Sequence, residues 1–181
     1  MTPVSLAEGA EFLRRLSRAG FRPILIGGLA IEAAGFGGTK DVDALVAVEA
    51  FDGIEFLHKG GFRVFSAAGW VTNGELTLPD GTRIPFDVLN PAKFVGRNHS
   101  GQDFFKFVAR TATRKPYGLV AAPRVVYYTR LLVEGPHGEL YIERIRRDLD
   151  GGAPRSWVKE AARVAHVSEH WGRFSPRSSG F

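Results

Sequence analysis

The fold is decided by the stretch Ile24-Leu-Ile-Gly-Gly-Leu-Ala-Ile-Glu-Ala-Ala-Gly-Phe-Gly-Gly-Thr-Lys-Asp-Val-Asp-Ala-Leu-Val46. It begins as a short apolar strand, turns at Gly27-Gly28 and continues into a short helix that ends at Gly35. Twelve residues separate the glycine pair from Asp-Val-Asp, which opens a second apolar strand. Glycines at such a turn let backbone N–H groups approach a phosphate, and the start of the helix adds positive potential. The stretch therefore predicts a strand–turn–helix unit followed by an acidic strand.

Three aspartates are candidate metal ligands. Asp41 and Asp43 lie two residues apart at the mouth of the second strand, so both side chains point to the same face. Asp87 lies in a later apolar strand, between Phe86 and Val88. Like charges held together repel one another, and a divalent cation explains the pairing better than a rim against water does. Three carboxylates from two strands can hold two Mg²⁺ ions, an arrangement suited to in-line phosphoryl displacement.

These motifs resemble the signature of the DNA polymerase β-type nucleotidyltransferase superfamily, which is an apolar residue, Gly, Gly or Ser, a short spacer and an acid–apolar–acid trio. Ile26-Gly27-Gly28 and Asp41-Val42-Asp43 match it. The surrounding Gly-Gly-x-Ala and Thr-x-Asp-Val-Asp look most like stand-alone bacterial and archaeal members, which include abortive-infection and other toxin–antitoxin nucleotidyltransferases. The resemblance extends from about Phe21 to Leu89.

The resemblance implies an enzyme that moves a nucleoside monophosphate from an NTP, such as ATP, to an acceptor hydroxyl and releases pyrophosphate. In such an enzyme Asp41 and Asp43 bind both metal ions, while Asp87 binds the second ion and helps to deprotonate the acceptor. The expected cofactor is two Mg²⁺ ions, with Mn²⁺ as the alternative. Electrostatic positioning is expected to supply most of the rate.

Nucleotide binding is expected at a second set of residues. The resemblance assigns it to Gly27, Gly28, Thr39, Lys40 and Arg130. The first two hold the phosphates. Arg130 is the candidate for a basic residue that these families offer to the triphosphate from a helix, and Asp148 is the candidate for an acid on a later helix. Both are assigned by position alone. The chain departs from the pattern at Gly37, where many members carry Arg two residues before the Thr. Lys40 is the candidate to replace that charge.

The acceptor is expected to be an RNA end, tRNA for the toxin-like members, with a cognate antitoxin or toxin protein as partner. Charge favours this, because Met1–Gly96 carries 9 Lys+Arg against 11 Asp+Glu whereas Arg97–Phe181 carries 15 against 8. A protein side chain is an alternative acceptor. An aminoglycoside is disfavoured, because a cationic substrate needs an acidic pocket.

Two further classes of protein stay open. Gly37 in place of Arg encourages the hypothesis of a catalytically lapsed relative that binds nucleotide or RNA. Binding without pyrophosphate release is what distinguishes that relative from the enzyme. The other class is a structural or partner-binding α/β protein, in which Asp41→Ala changes nothing but stability.

Composition bounds these hypotheses. The chain has 181 residues, 44% of them hydrophobic, which suits one domain with a sizeable core and a small appendage. It has no cysteine, which excludes disulfides, thiolate metal sites and a cysteine nucleophile. No apolar run approaches the roughly 20 residues that span a bilayer, and the N-terminus lacks the pattern of a secretory signal. We therefore expect a cytoplasmic protein with no membrane partner.

The predicted fold class is α+β, a nucleotidyltransferase domain over residues 1–121 with a small mixed sheet flanked by helices. A helical region over 122–173 is expected to complete the cleft, and 174–181 is expected to be a disordered tail. The capping box of Ser5 and Glu8 predicts a helix from Leu6 to Ala19. A Pro-Asp-Gly turn predicts a hairpin of Glu75–Leu78 with Arg83–Leu89, in which Pro85 lies near an edge or bulge. Between Pro91 and Lys115 we expect a short helix and one strand, the strand around Phe104–Arg110.

Overall fold

The chain divides into two compact units, one ending at Ala122 and the other beginning at Pro123. In the computed structural model, the described residues are 3–69, 71–94, 101–133 and 135–164. The predicted tail at 174–181 lies outside them, and the prediction that the helical region completes a cleft stays a prediction. None of the helices in these ranges has the combined length and apolarity that crossing a bilayer demands.

The first unit is a mixed sheet with helices packed on it. In chain order its elements are α1 (Leu6–Arg18), β1 (Ile24–Ile26), α2 (Gly27–Glu32), β2 (Val42–Leu45), α3 (Val48–Phe51), a 3₁₀ helix (Asp52–Phe56), β3 (Phe62–Ala68), β4 (Val71–Thr77), β5 (Arg83–Leu89), a 3₁₀ helix (Pro91–Phe94), α4 (Gly101–Thr111), β6 (Thr113–Lys115) and β7 (Gly118–Val120). Within the described residues, seven strands form one sheet in the order β3-β4-β5-β2-β1-β7-β6. The pairs β2–β5 and β1–β7 are parallel, and the others are antiparallel. The predicted fold class, a mixed sheet flanked by helices, is confirmed.

Helix α1 begins and packs as its sequence predicts. The Ser5 hydroxyl accepts the backbone N–H of Glu8 at 3.3 Å, and the Glu8 carboxylate accepts the backbone N–H of Ser5 at 2.7 Å. Such a capping box satisfies donors that the first helical turn leaves without partners. The apolar side chains Phe12, Leu13 and Leu16 are fully buried, and α1 contacts β1, β2, β5 and β7. The helix therefore covers one face of the sheet.

An aromatic cluster joins α1 to that face. The ring of Phe12 lies 5.9 Å from that of Phe62 on β3 and 5.1 Å from that of Phe86 on β5, and the latter two are 5.8 Å apart. Gly74 on β4 makes room, because a Cβ atom there would lie 2.7 Å from Phe86 Cζ. Side chains alternate along a strand, so burying Phe86 on this face directs Asp87 to the opposite one.

The hairpin of β4 and β5 agrees with its prediction. The two strands pair from Val71–Leu89 at one end to Thr77–Arg83 at the other, on either side of the predicted turn. Pairing of β5 with β2 begins only at Phe86, so Pro85 lies where β5 extends past β2. Proline has no N–H to donate to a ladder, and this position agrees with the predicted edge location.

The predicted strand around Phe104–Arg110 is wrong, because these residues lie in helix α4. Aromatic residues favour strands, but Phe104 and Val108 are four residues apart and both are buried. That spacing places them on one face of a helix, and packing of this face outweighs the local β preference. The strands of this region come later, as β6 and β7.

The second unit is helical over its described residues, with α5 (Pro123–Leu131), α6 (Gly135–Asp150) and α7 (Arg155–Val164). Helix α5 contacts both of the others. Between α5 and α6 the Arg130 guanidinium lies 3.0 Å from Asp148 Oδ2, and the Tyr127 hydroxyl donates to the same oxygen at 3.2 Å. Only 8% of the Arg130 side chain and 5% of the Asp148 side chain are exposed. The buried pair therefore fixes how these two helices pack.

Candidate metal and phosphate site

The structure brings Asp41, Asp43 and Asp87 together. Asp43 on β2 and Asp87 on β5 are register partners in neighbouring parallel strands, so their side chains share one face of the sheet. Asp41 immediately precedes β2 and is two residues from Asp43. One carboxylate oxygen from each residue lies within 4.8 Å of the others, and all three residues are half-buried. We call these three side chains the carboxylate cluster.

The cluster is electrostatically unfavourable without a cation. Burial and, to a smaller extent, the negative charge of Asp41 together raise the pKa of Asp87 to about 6. Both causes penalise the ionised form of a carboxyl group. A divalent ion among these oxygens would offset the repulsion and lower the pKa of Asp87.

The donor set fits a hard divalent cation. Mg²⁺ binds oxygen ligands at about 2.0–2.1 Å in an octahedron, so ligands on opposite sides of the ion are about 4 Å apart, and Ca²⁺ allows somewhat more. The three oxygens lie within 4.8 Å of one another, which is close to these separations. Asp41, Asp43 and Asp87 are the residues that would hold such an ion.

Gly27 is required by the carboxylate cluster. It is the first residue of α2, which begins directly after β1. Its φ is +69°, a value that side chains rarely adopt. A Cβ atom at this position would also overlap the Asp43 carboxylate, with Asp43 Cγ only 2.6 Å away. The sequence predicted phosphate contact for this glycine, and the structure shows that it also makes room for the acid.

Gly28 and Thr39 connect the glycine pair to Asp41. A Cβ atom on Gly28 would lie 2.5 Å from Thr39 Cβ and 2.9 Å from its hydroxyl. That hydroxyl donates to Asp41 Oδ1 at 2.7 Å. Thr39, predicted to bind nucleotide, therefore orients a carboxylate of the cluster. The glycine pair and the two acids form one packed unit, although they are far apart in sequence.

The loop before Asp41 carries a cation at Lys40 and a glycine at position 37. Gly37 is exposed and has a φ of +79°, so any side chain there would be strained. The backbone of this loop is thus built for glycine at position 37. Lys40 is exposed and directly precedes Asp41, which leaves its ammonium group accessible to a phosphate.

Arg130 lies in the second unit, and its surroundings are those of a structural residue. Its guanidinium is buried beside Asp148 and lies 5.7 Å from the centroid of the Tyr127 ring. Burial and the neighbouring Asp148 raise the pKa of the Tyr127 hydroxyl. A guanidinium that is buried and already paired with a carboxylate is a poor candidate for binding a triphosphate. Its predicted nucleotide contact stays a prediction.

Asn73 is not among the residues predicted for the site. This residue on β4 is the register partner of Asp87 and is half-buried, so its amide lies on the same face as the carboxylate cluster. The position of the hairpin turn in the sequence would have been enough to place it near Asp87. With Thr77 opposite Arg83 across the Pro-Asp-Gly turn, counting back along both strands places Asn73 opposite Asp87.

Comparison with known proteins supports the fold. No protein-family model and no curated protein matches the chain. Among solved structures, the chain is similar to the crystal structure of an antigenic nucleotidyltransferase-like protein from Paracoccidioides brasiliensis, with a TM-score of 0.50 and 14% identity over 96% of this chain and 94% of that one. The chain therefore has a nucleotidyltransferase-like fold. On that fold it carries three converging carboxylates that can hold a divalent ion.

Proposed function

We propose that the protein is a metal-dependent nucleotidyltransferase that moves a nucleoside monophosphate from an NTP to an acceptor hydroxyl. The observation that carries this proposal is the convergence of Asp41, Asp43 and Asp87 beside the glycine pair. A fold shared with a nucleotidyltransferase-like protein supports it. Neither the acids nor the glycines need to lie together for the sheet to form, so their packing favours a binding site over a purely structural role.

The residues divide between the two substrates. The half-buried Gly27 and the buried Gly28 lie at the phosphate end of the site, and the exposed Lys40 offers a positive charge there. Asp41 and Asp43 hold the ions, with Thr39 fixing one carboxylate. When bound, divalent ions neutralise the triphosphate and polarise the attacking hydroxyl.

Asp87 is suited to take the acceptor proton. It lies on the side of the carboxylate cluster away from the glycine pair, because β5 and β1 flank β2 on opposite sides, and this is the side left for an acceptor hydroxyl. In the proposed reaction a bond forms between the acceptor oxygen and the α-phosphorus. The bond between the α-phosphorus and the oxygen that bridges it to the β-phosphorus breaks, and pyrophosphate leaves with the electron pair.

The proposed acceptor is RNA, with tRNA as its leading candidate and a toxin–antitoxin pair as the setting. The net charge of +5 supports a polyanionic partner. A protein side chain and an aminoglycoside stay as alternative acceptors. One observation favours the lapsed relative as a second candidate: the left-handed backbone at Gly37 excludes the arginine that many members carry.

The test follows where the α-phosphate and the γ-phosphate of the NTP go. The protein is incubated with Mg²⁺, total RNA or lysate, and each NTP labelled in parallel on the α- or the γ-phosphate. We expect α-label on an RNA band and γ-label in pyrophosphate. Ribonuclease and protease digestion distinguish RNA from protein as acceptor.

The controls separate the enzyme from the lapsed relative. Asp41→Asn/Asp43→Asn should abolish transfer, while Asp52→Asn, which alters an exposed carboxylate elsewhere in the same unit, should not. Label transfer that persists in the double variant contradicts the proposal. An NTP that raises the melting temperature with Mg²⁺ but releases no pyrophosphate supports the lapsed relative.

A further inference from the structure

A row of side chains leads away from the carboxylate cluster along one face of the sheet. Asp43 pairs with Asp87, Asp87 with Asn73 and Asn73 with Ser66, across strands β2, β5, β4 and β3. Directly opposite residues on paired strands direct their side chains to the same face. The row therefore joins the cluster to β3, the last strand of the sheet on that side.

The far end of this row presents an exposed aromatic ring. The register of β3 against β4 shifts between Val64 and Ser66, so Phe65 is the extra residue of a β-bulge. Its side chain is 58% exposed. Bulges re-aim side chains and blunt edge strands against aggregation. A charged residue would protect the edge strand against aggregation better than phenylalanine does. Protection of the edge therefore does not explain why an aromatic ring is exposed here.

Arg63 lies beside that ring. Its guanidinium carbon is 5.4 Å from the Phe65 centroid, and the residue is exposed. Glu75, opposite Arg63 on β4, is ion-paired with Arg83 at 3.7 Å. The three charges leave one net positive charge next to an exposed aromatic face. Such a combination is typical of surfaces that stack a base and contact its phosphate.

The order along the sheet assigns this surface to one substrate. The glycine pair follows β1, on the Asp43 side of the cluster, because Ile26 pairs with Asp43. Asn73 and Phe65 lie on the Asp87 side. Since neighbouring strands are about 4.8 Å apart, β3 is about 10 Å from β5. An NTP bound through its phosphates at the glycine end leaves the Asp87 side for the acceptor.

We propose that Arg63, Phe65 and Asn73 bind the acceptor, and that the acceptor is the 3′ end of a single-stranded RNA. A base stacks on the Phe65 ring, the Arg63 guanidinium contacts an adjoining phosphate, and the Asn73 amide contacts the terminal nucleotide beside Asp87. We call these three residues the acceptor surface. This inference rests on the proposed function, because the transferase reaction is what gives the Asp87 side an acceptor.

The first test measures binding without catalysis. Fluorescence anisotropy follows a labelled single-stranded RNA octamer with a free 3′ hydroxyl, in EDTA and without NTP. We expect Phe65→Ala to weaken binding about tenfold or more and Phe65→Trp to retain it, because stacking needs an aromatic face. Arg63→Gln should weaken binding and lower its salt dependence, because one phosphate contact is lost.

Two substitutions serve as matched controls. Leu140→Ala removes an exposed apolar side chain in the second unit, and Arg18→Gln removes an exposed guanidinium on α1. Neither should alter RNA binding as the acceptor-surface variants do. Because Phe65 and Arg63 are exposed, their variants should keep the melting temperature of the unsubstituted protein.

The second test keeps the two proposals apart. In the transfer assay, Phe65→Ala should raise the KM for RNA and leave the KM for NTP unchanged, whereas Asp41→Asn/Asp43→Asn should abolish transfer yet still bind RNA in EDTA. If Phe65→Ala binds the octamer as tightly as the unsubstituted protein while the double variant is inactive, the acceptor surface is wrong and the transferase stands. Absence of octamer binding by the unsubstituted protein, or transfer only to a protease-sensitive acceptor, also overturns the acceptor surface.

Discussion

Gly27 and Asp43 are packing partners, since a side chain at position 27 would overlap the Asp43 carboxylate. The two residues belong to different halves of one sequence motif, and the antiparallel pairing of β1 with β2 brings them together. A motif that looks like a phosphate turn followed by a metal site is therefore a single packed unit. Substitutions in the glycine pair should therefore displace the metal ligands and weaken metal binding.

The first prediction concerns Gly27→Ala. The new methyl group meets Asp43, and the φ of +69° is strained for alanine. We expect a loss of about 2–4 kcal/mol in the free energy of unfolding, from strain and overpacking together, and weaker Mn²⁺ binding. Gly35→Ala is the matched control, because Gly35 has a φ of +96° but nothing within 4 Å of a Cβ atom. Chemical denaturation and Mn²⁺ titration of both variants check this. Equal effects on Mn²⁺ binding would mean that contact with Asp43 is not what matters at position 27.

The second prediction concerns the hydroxyl of Thr39. It donates to Asp41 at 2.7 Å, and residues that orient metal ligands typically contribute about 10–100-fold to metal affinity. Thr39→Val keeps the shape and removes the donor, so it should weaken Mn²⁺ binding within that range. Thr39→Ser keeps the donor and should bind nearly as well as the unsubstituted protein. If the valine variant binds Mn²⁺ as tightly as the serine variant, the hydroxyl does not position Asp41.

The third prediction is a pH dependence from Asp87. Its pKa rises from an ordinary 3.8 to about 6 on folding, so the folded state favours the protonated carboxyl. That stabilisation is fully present below the ordinary pKa and is lost as the pH rises through about 6. In EDTA, Asp87→Asn should therefore gain melting temperature over the unsubstituted protein as the pH rises from 4 to 7. Mg²⁺ should reduce this gap above pH 6. A gap that narrows with rising pH in EDTA contradicts the burial and the repulsion by Asp41.

The fourth prediction concerns the buried pair in the second unit. Arg130→Met leaves the Asp148 carboxylate buried without its cation, which typically costs about 3–5 kcal/mol. Arg130→Met/Asp148→Leu removes both charges and should recover much of that loss. Tyr127→Phe removes one hydrogen bond to Asp148 and should cost about 1 kcal/mol. Urea unfolding measures all three. If the double substitution is as damaging as Arg130→Met alone, charge pairing is not what stabilises these helices.

The sequence predicted the fold where several local signals agreed. The capping box predicted where α1 begins, and the turn after Thr77 predicted the hairpin of β4 and β5. It failed at Phe104–Arg110, where aromatic residues favour a strand locally but tertiary packing buries them along a helix. Propensity is a weak signal wherever packing opposes it.

For the candidate site, the sequence indicated which acids lie together but not which side chains contact them. The spacing of the acids indicated the carboxylate cluster, because alternation along a strand is fixed by backbone geometry. It could not show that Thr39 bonds Asp41 or that Arg130 is buried against Asp148, since both contacts depend on packing between elements. Asn73 can be placed opposite Asp87 only by counting back along both strands from the Pro-Asp-Gly turn.

The central claim is that Asp41, Asp43 and Asp87 together bind divalent ions, and calorimetric titration of Mn²⁺ tests it most directly. The titration is done at pH 7.5 with a non-hydrolysable NTP analogue, on the unsubstituted protein, Asp43→Asn, Asp87→Asn and Asp52→Asn. We predict that the first two substitutions each weaken Mn²⁺ binding about tenfold or more, while Asp52→Asn leaves it unchanged. Equal Mn²⁺ affinity in all four proteins, each folded as judged by its melting transition, would contradict the account.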